Sequence, residues 1–140
     1  MTPKILLFQA RLETDPMREQ EVECFIAQSD LPRDHLTPWN LTKGPLSLAE
    51  VRRHDAVMVG GSGDFYVSKR DLPHFEPLME LLREIVEARM PTFASCFGYQ
   101  CLVEALGGEI IHDPENLEVG TFELTLTEAG QDDPLLSTLP

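Results

Sequence analysis

The residues with the clearest chemical promise are a cysteine and the glycine two positions beyond it, in Pro91-Thr-Phe-Ala-Ser-Cys96-Phe-Gly98-Tyr-Gln100-Cys-Leu-Val-Glu-Ala-Leu-Gly107-Gly108. The stretch reads as a short apolar strand, an abrupt turn carrying Cys96, a helix and a Gly-Gly stop. A thiol in that turn sits at the carboxyl end of a strand and the amino end of a helix, where the helix dipole stabilises a thiolate. Gly98 has no β-carbon, so the backbone can fold tightly past the sulfur. This is a nucleophile elbow with sulfur in place of the serine hydroxyl, and its chemistry is covalent attack on a carbonyl. Such attack needs amide donors where the oxyanion develops. Gly60-Gly61-Ser62-Gly63 follows an apolar run and can present them, with the amide of Phe97, directly after the nucleophile, as the second donor. A plain turn or a phosphate cradle would use the same glycines, but the Lys-Ser/Thr of a phosphate loop is missing and no helix follows at once. His112-Asp113-Pro114 pairs a base with a carboxylate only superficially, because neighbours in sequence rarely orient each other and Asp-Pro starts turns.

The elements that must position these groups alternate between strand and helix. Ile5 to Phe8 is a buried-strand run, followed by the charged Arg11-Leu-Glu-Thr-Asp15. Pro16 suits a helix first turn after an Asp15 cap, with Val22, Phe25 and Ile26 at helical spacing. His35 to Trp39 forms a short second strand, and Ser47-Leu-Ala-Glu50 is a capping box opening a brief helix. Ala56 to Val59 is the third strand. Asp71 to Arg89 is a longer helix with Leu78, Leu81, Leu82, Ile85 and Val86 as its apolar stripe. Thr92 to Ala94 is the fourth strand, Gly98 to Leu106 the elbow helix and Glu109 to Ile111 a fifth strand. Thr121 to Thr127 alternates Phe122, Leu124 and Leu126 with polar residues, as an antiparallel strand with one wet face would. Repeated βα units predict a three-layer α/β fold, a mostly parallel, flavodoxin-like sheet with helices on both faces and function at the strand carboxyl ends.

Three ordered blocks resemble the class I, triad-type glutamine amidotransferases, of the kind related to the GMP synthase glutaminase domain. Ser95-Cys96-Phe97-Gly98-Tyr99-Gln100 is similar to that family's G-x-C-x-G-x-Q signature, with Ala94 where the family usually has glycine. Asp55-Ala-Val-Met-Val-Gly60-Gly61-Ser62-Gly63-Asp64 resembles its strand and oxyanion loop. Gly107-Gly108-Glu-Ile-Ile followed by Glu118-Val119-Gly120 resembles its next strand and its E-x-G segment. The resemblance implies Cys96 as nucleophile, Gly60, Gly61 and Phe97 around the oxyanion, and Gln100, Glu118 and Gly120 near the substrate. L-Glutamine would be the substrate, its side-chain amide hydrolysed to glutamate and ammonia through a thioester, with an ammonia-accepting synthetase as partner and no cofactor. On residue chemistry alone, Gln100 is a half-exposed helix residue and Glu118 and Gly120 a turn and strand start. The family completes its triad with H-x-E or H-x-D after the E-x-G segment, and neither pattern occurs in this chain, whose histidines are His35, His54, His74 and His112. The expectation is one incomplete domain over residues 1–140, lacking the C-terminal part of the fold, weak in catalysis and prone to self-association through exposed edges. Two other readings stay open: a non-catalytic regulatory or interaction module on the same fold, and a cysteine-elbow relative of the protease and stress-chaperone type.

Composition sets the outer bounds. The net charge of -13 argues against nucleic acid and anionic membranes, because a phosphate backbone would be repelled. No apolar run reaches the ~20 residues of a membrane span, and the N-terminus lacks a signal-peptide layout. The cysteines number three, an odd count. Cys96 and Cys101 are poorly placed to pair, and Cys24 reads as a small core residue in a helix stripe, so a reducing cytoplasm is expected. No cysteine or histidine spacing suits a metal.

Overall fold

The computed structural model describes residues 2–117, 120–123 and 125–138. Four parallel strands, β1 (Ile5–Gln9), β2 (Leu36–Asn40), β3 (Ala56–Val59) and β4 (Thr92–Ala94), form one sheet in the order β2-β1-β3-β4. β1 is central, and all its residues are buried because both of its faces are covered. Ile5 and Leu7 point to one side, where they pack with Leu36, Val22, Phe25 and Ile26. The last three belong to α1 (Met17–Ser29). Leu6 and Phe8 point to the other side, into a core shared with α3 (Phe75–Glu87) and α4 (Phe97–Ala105). Helices on both faces of a parallel sheet make the three-layer α/β fold that the sequence predicts. Pro38 sits in edge strand β2, where a missing N–H is tolerated.

The remaining helices are short. α2 (Leu48–Val51) opens on the expected capping box, with the Ser47 amide donating to Glu50 Oε2 at 2.9 Å and the Glu50 amide to Ser47 Oγ at 3.4 Å. α5 (Glu128–Gln131) is capped by Thr127. α4 ends in a Schellman motif: the Gly108 amide donates to the Val103 carbonyl at 2.8 Å and the Gly107 amide to that of Glu104 at 3.0 Å, with Gly107 at φ +88°.

Several expectations need correction. Cys24 is exposed, because it lies 200° around the helix from buried Val22. Val86 is exposed while its neighbour Ile85 is buried, so the stripe of α3 runs through Phe75, Leu78, Met79, Leu81, Leu82 and Ile85 instead. α3 begins at Phe75, not Asp71, since His74 stands in the left-handed region at φ 63° and interrupts any helix before it. Glu109 to Ile111 is not a strand, and neither are the described residues of Thr121 to Thr127, Leu124 lying outside them. Side-chain alternation is only half of what a strand requires. The other half is a ladder partner, and here Ile111 and Phe122 stand exposed with none.

Candidate active site

The carboxyl ends of the strands converge on one end of the sheet. Cys96 occupies the turn between β4 and α4 with φ 48° and ψ -114°, a sparsely populated region for a residue with a β-carbon, and it is exposed. Two backbone bonds fasten this elbow to the end of β3: the Ser95 amide donates to the Val59 carbonyl at 3.0 Å and the Gly98 amide to that of Gly60 at 3.1 Å. Gly98 cannot be anything else without movement. A β-carbon there would stand 2.7 Å from both Cβ and Cγ1 of Val59 and closer still to the Val59 carbonyl oxygen. The Gln100 amide donates to the Cys96 carbonyl at 3.0 Å, and the Gln100 side chain is half-buried one turn into α4.

The glycine loop lies alongside. A β-carbon on Gly61 would be 4.0 Å from Cβ of Cys96. The Gly60 amide continues the strand pairing and donates to the Phe8 carbonyl at 3.0 Å. The Gly61 amide donates to Oε1 of Glu21 at 3.0 Å. The Phe97 amide, at the first position of α4, donates to no described residue. Gly120, at φ +130°, is exposed in an irregular segment with nothing within 4 Å of where a side chain would begin, and Glu118 lies outside the described residues.

Glu21 and its partners were not singled out in the sequence. Its carboxylate receives Nε2 of Gln9 at 2.9 Å and Nε of Arg11 at 3.2 Å on Oε2, and Nη2 of Arg11 at 3.3 Å on Oε1. Arg11 also pairs with Asp15 at 2.9 Å. Burial by itself would push the Arg11 guanidinium down, but the bonds to Glu21 and Asp15 outweigh it and hold the group above its ordinary value. Gln9 and Asn40, at the ends of β1 and β2, are the buried polar residues of the described chain, and Asn40 donates to the Arg11 carbonyl at 2.8 Å. Together they tie down the segment between β1 and α1. An open cleft of about 310 Å³ lies against it, lined by Arg11, Thr14, Asp15, Met17, Gly63 and Asp64. The signal available in the sequence was positional: Arg11 and Asp15 directly follow the end of β1, where doubly wound folds keep their sites.

Among the described residues, no histidine is hydrogen-bonded to Cys96. His35 bonds the Pro3 carbonyl at 3.1 Å and His54 the Val51 carbonyl at 3.3 Å. Both stand before the first residues of β2 and β3, at the opposite end of the sheet from Cys96. His74 leads into α3 and His112 is exposed beyond α4, beside Asp113 in sequence; Asp113 bonds Asn116 at 2.8 Å. Cys101 is buried, and burial together with repulsion from Glu104 pushes its thiol up to about 12. Among the described residues, no group of His, Cys, Asp and Glu is arranged to hold a metal ion and no helix is long and apolar enough to cross a membrane.

A cysteine elbow at the sheet's carboxyl end, stitched to a Gly-Gly loop, matches known proteins. The family model for class-I glutamine amidotransferases matches residues 34–138. A solved structure of a glutamine amido transferase from Methylobacillus flagellatus is similar in fold, with a TM-score of 0.56 and 22% identity over 81% of this chain and 43% of that one. The chain therefore spans less than half the length of that solved protein. No curated protein matches the chain. With three quarters of its length covered by the family model, and with the elbow and glycine loop in place, this chain belongs to the class-I glutamine amidotransferase family.

Proposed function

We propose that this protein hydrolyses the side-chain amide of L-glutamine, with Cys96 as the nucleophile. The observation that carries the reading is the geometry of Cys96, an exposed thiol at φ 48° between a parallel strand and the first turn of a helix, with the elbow bonded to the glycine loop through the Gly98 amide and the Gly60 carbonyl. The thiolate adds to the amide carbonyl, forming the S–C bond. The C–N bond breaks and the nitrogen leaves as ammonia once it has taken up a proton. Water then attacks the γ-glutamyl thioester, breaking the S–C bond and releasing glutamate. On this reading the amides of Phe97 and Gly61 are the oxyanion donors, the first without a described partner and the second held by Glu21 in the structure; Gly60, whose own amide pairs with Phe8, acts as a spacer. Gln100 supports the elbow from one turn along α4, and Glu118 and Gly120 belong to the substrate side by family likeness. An ammonia-accepting synthetase is the partner such a domain serves.

No described histidine is hydrogen-bonded to Cys96, so proton transfer lacks a base among these groups. Loss of one triad member costs several powers of ten in rate, and turnover by the chain alone is accordingly weak. The same observation favours a second reading, a regulatory or interaction module that keeps the elbow. Glutamine-dependent ammonia release, measured with the unaltered protein and with Cys96→Ser, separates them. Release that disappears in the variant supports the enzyme. No release from a folded, unaltered protein removes it and leaves the module.

A further inference from the structure

The Gly61 amide is already occupied. It donates to Glu21, whose carboxylate takes four hydrogen bonds in all and whose side chain is only 9% exposed. The fit is specific to glycine at the preceding position, since a β-carbon on Gly60 would stand 2.5 Å from Oε1 of Glu21. Thus Gly60 makes room for a carboxylate that reaches across from α1 and holds the Gly61 peptide of the glycine loop. The Phe97 amide, the other donor of the proposed oxyanion site, has no described partner.

Resting on the glutaminase reading, we infer that Glu21 is a positioning residue that latches the Gly61 peptide and withholds its amide from the oxyanion until the carboxylate lets go. A single N–H cannot serve two anionic acceptors at full strength. An oxyanion forming beside Cys96 would also be repelled by a carboxylate sharing its donor. The loop around that peptide is not tightly packed, since a β-carbon built on Gly61 or Gly63 would meet nothing closer than 3.9 Å. Release leaves no isolated charge, because Arg11 remains against the carboxylate.

The test compares two reagents on Cys96, followed by intact mass. Iodoacetamide alkylates without forming an oxyanion, whereas a chloromethyl ketone analogue of glutamine passes through one. Glu21→Asp keeps the charge opposite Arg11 but withdraws it by one methylene; Glu21→Leu keeps the bulk and removes the acceptor. In either folded variant the ketone-to-iodoacetamide rate ratio is expected to rise about tenfold, part of what one oxyanion donor contributes. A ratio that stays the same or falls in a folded variant overturns the latch. If neither variant folds, amide hydrogen exchange in the unaltered protein decides: protection of Gly61 well beyond Gly63 upholds the contact, and exchange at the free-peptide rate overturns it. The glutaminase reading fails separately, if the unaltered protein reacts no faster with the glutamine ketone than with a chloromethyl ketone of the same chain length that lacks the α-amino and α-carboxyl groups.

Discussion

Replacing Gly98 by alanine probes the joint that positions Cys96. The added methyl would meet Cβ and Cγ1 of Val59 at 2.7 Å, where ordinary contact begins at 3.4 Å, so β3 and α4 must separate by more than about 0.7 Å, because the Val59 carbonyl oxygen lies closer still. The Val59 carbonyl crowds the methyl too, and it is the acceptor for the Ser95 amide at 3.0 Å. Val59 is itself 1% exposed and pinned in the core, so it cannot retreat alone. Overpacking of this kind costs about 1–3 kcal/mol, and a weakened backbone bond adds about 1 kcal/mol. The expected loss is about 2–4 kcal/mol, a large part of the ~5–15 kcal/mol that holds such a domain together. Urea unfolding followed by the fluorescence of Trp39 measures it; this tryptophan is the only one and donates to the Gly44 carbonyl at 2.8 Å. The midpoint should fall by about 1 M or more at unchanged slope. Gly63→Ala is the control, since its nearest neighbour would be Arg11 Nη1 at 3.9 Å, and it should change stability by under about 0.5 kcal/mol. A Gly98→Ala loss no larger than that of the control would refute the close approach of α4 to β3.

Thiol counting tests the placement of the cysteines. Native protein at mild alkaline pH should take up iodoacetamide at Cys24 and Cys96 only, and at Cys101 after unfolding, because burial keeps that thiol protonated up to about 12; early labelling of Cys101 would contradict the packing of α4. Asp15 gives a pH dependence. The Met17 amide at 2.8 Å and then the Arg11 guanidinium hold its carboxyl below the ordinary carboxylate range. A depressed folded-state value means that the stabilisation is complete above the unfolded aspartate value of about 3.9 and fades as pH falls below it. The stability gap between unaltered protein and Asp15→Asn should therefore shrink from pH 7 to pH 3, and a constant gap would remove Asp15 from the account.

What was legible in the sequence was local. The capping box at Ser47, the elbow at Cys96 and the Gly107-Gly108 stop each depend on residues a few positions apart, and each stands where it was read. The strand β1 was legible because a run buried on both faces is apolar throughout. The Glu21 bond to Gly61 joins positions 40 residues apart, and nothing in either neighbourhood points to the other. Cys24 failed for a related reason: proximity to Val22 and Phe25 suggested a stripe, whereas the helical angle turns it outward. Beyond α4 the alternation at Phe122 and Leu126 described a surface pattern but could not supply the neighbouring strand that would make it a sheet.

The backbone at Cys96 has a thermodynamic meaning of its own. At φ 48° and ψ -114° a glycine would rest comfortably, while a side chain holds the main chain about 1–3 kcal/mol above its relaxed state. A Cys96→Gly protein should thus be more stable than the natural one, even as it loses the thiol. Selection for robustness alone would drift toward glycine at this turn. On the proposed glutaminase reading, the turn gives up folding stability in exchange for a reactive side chain.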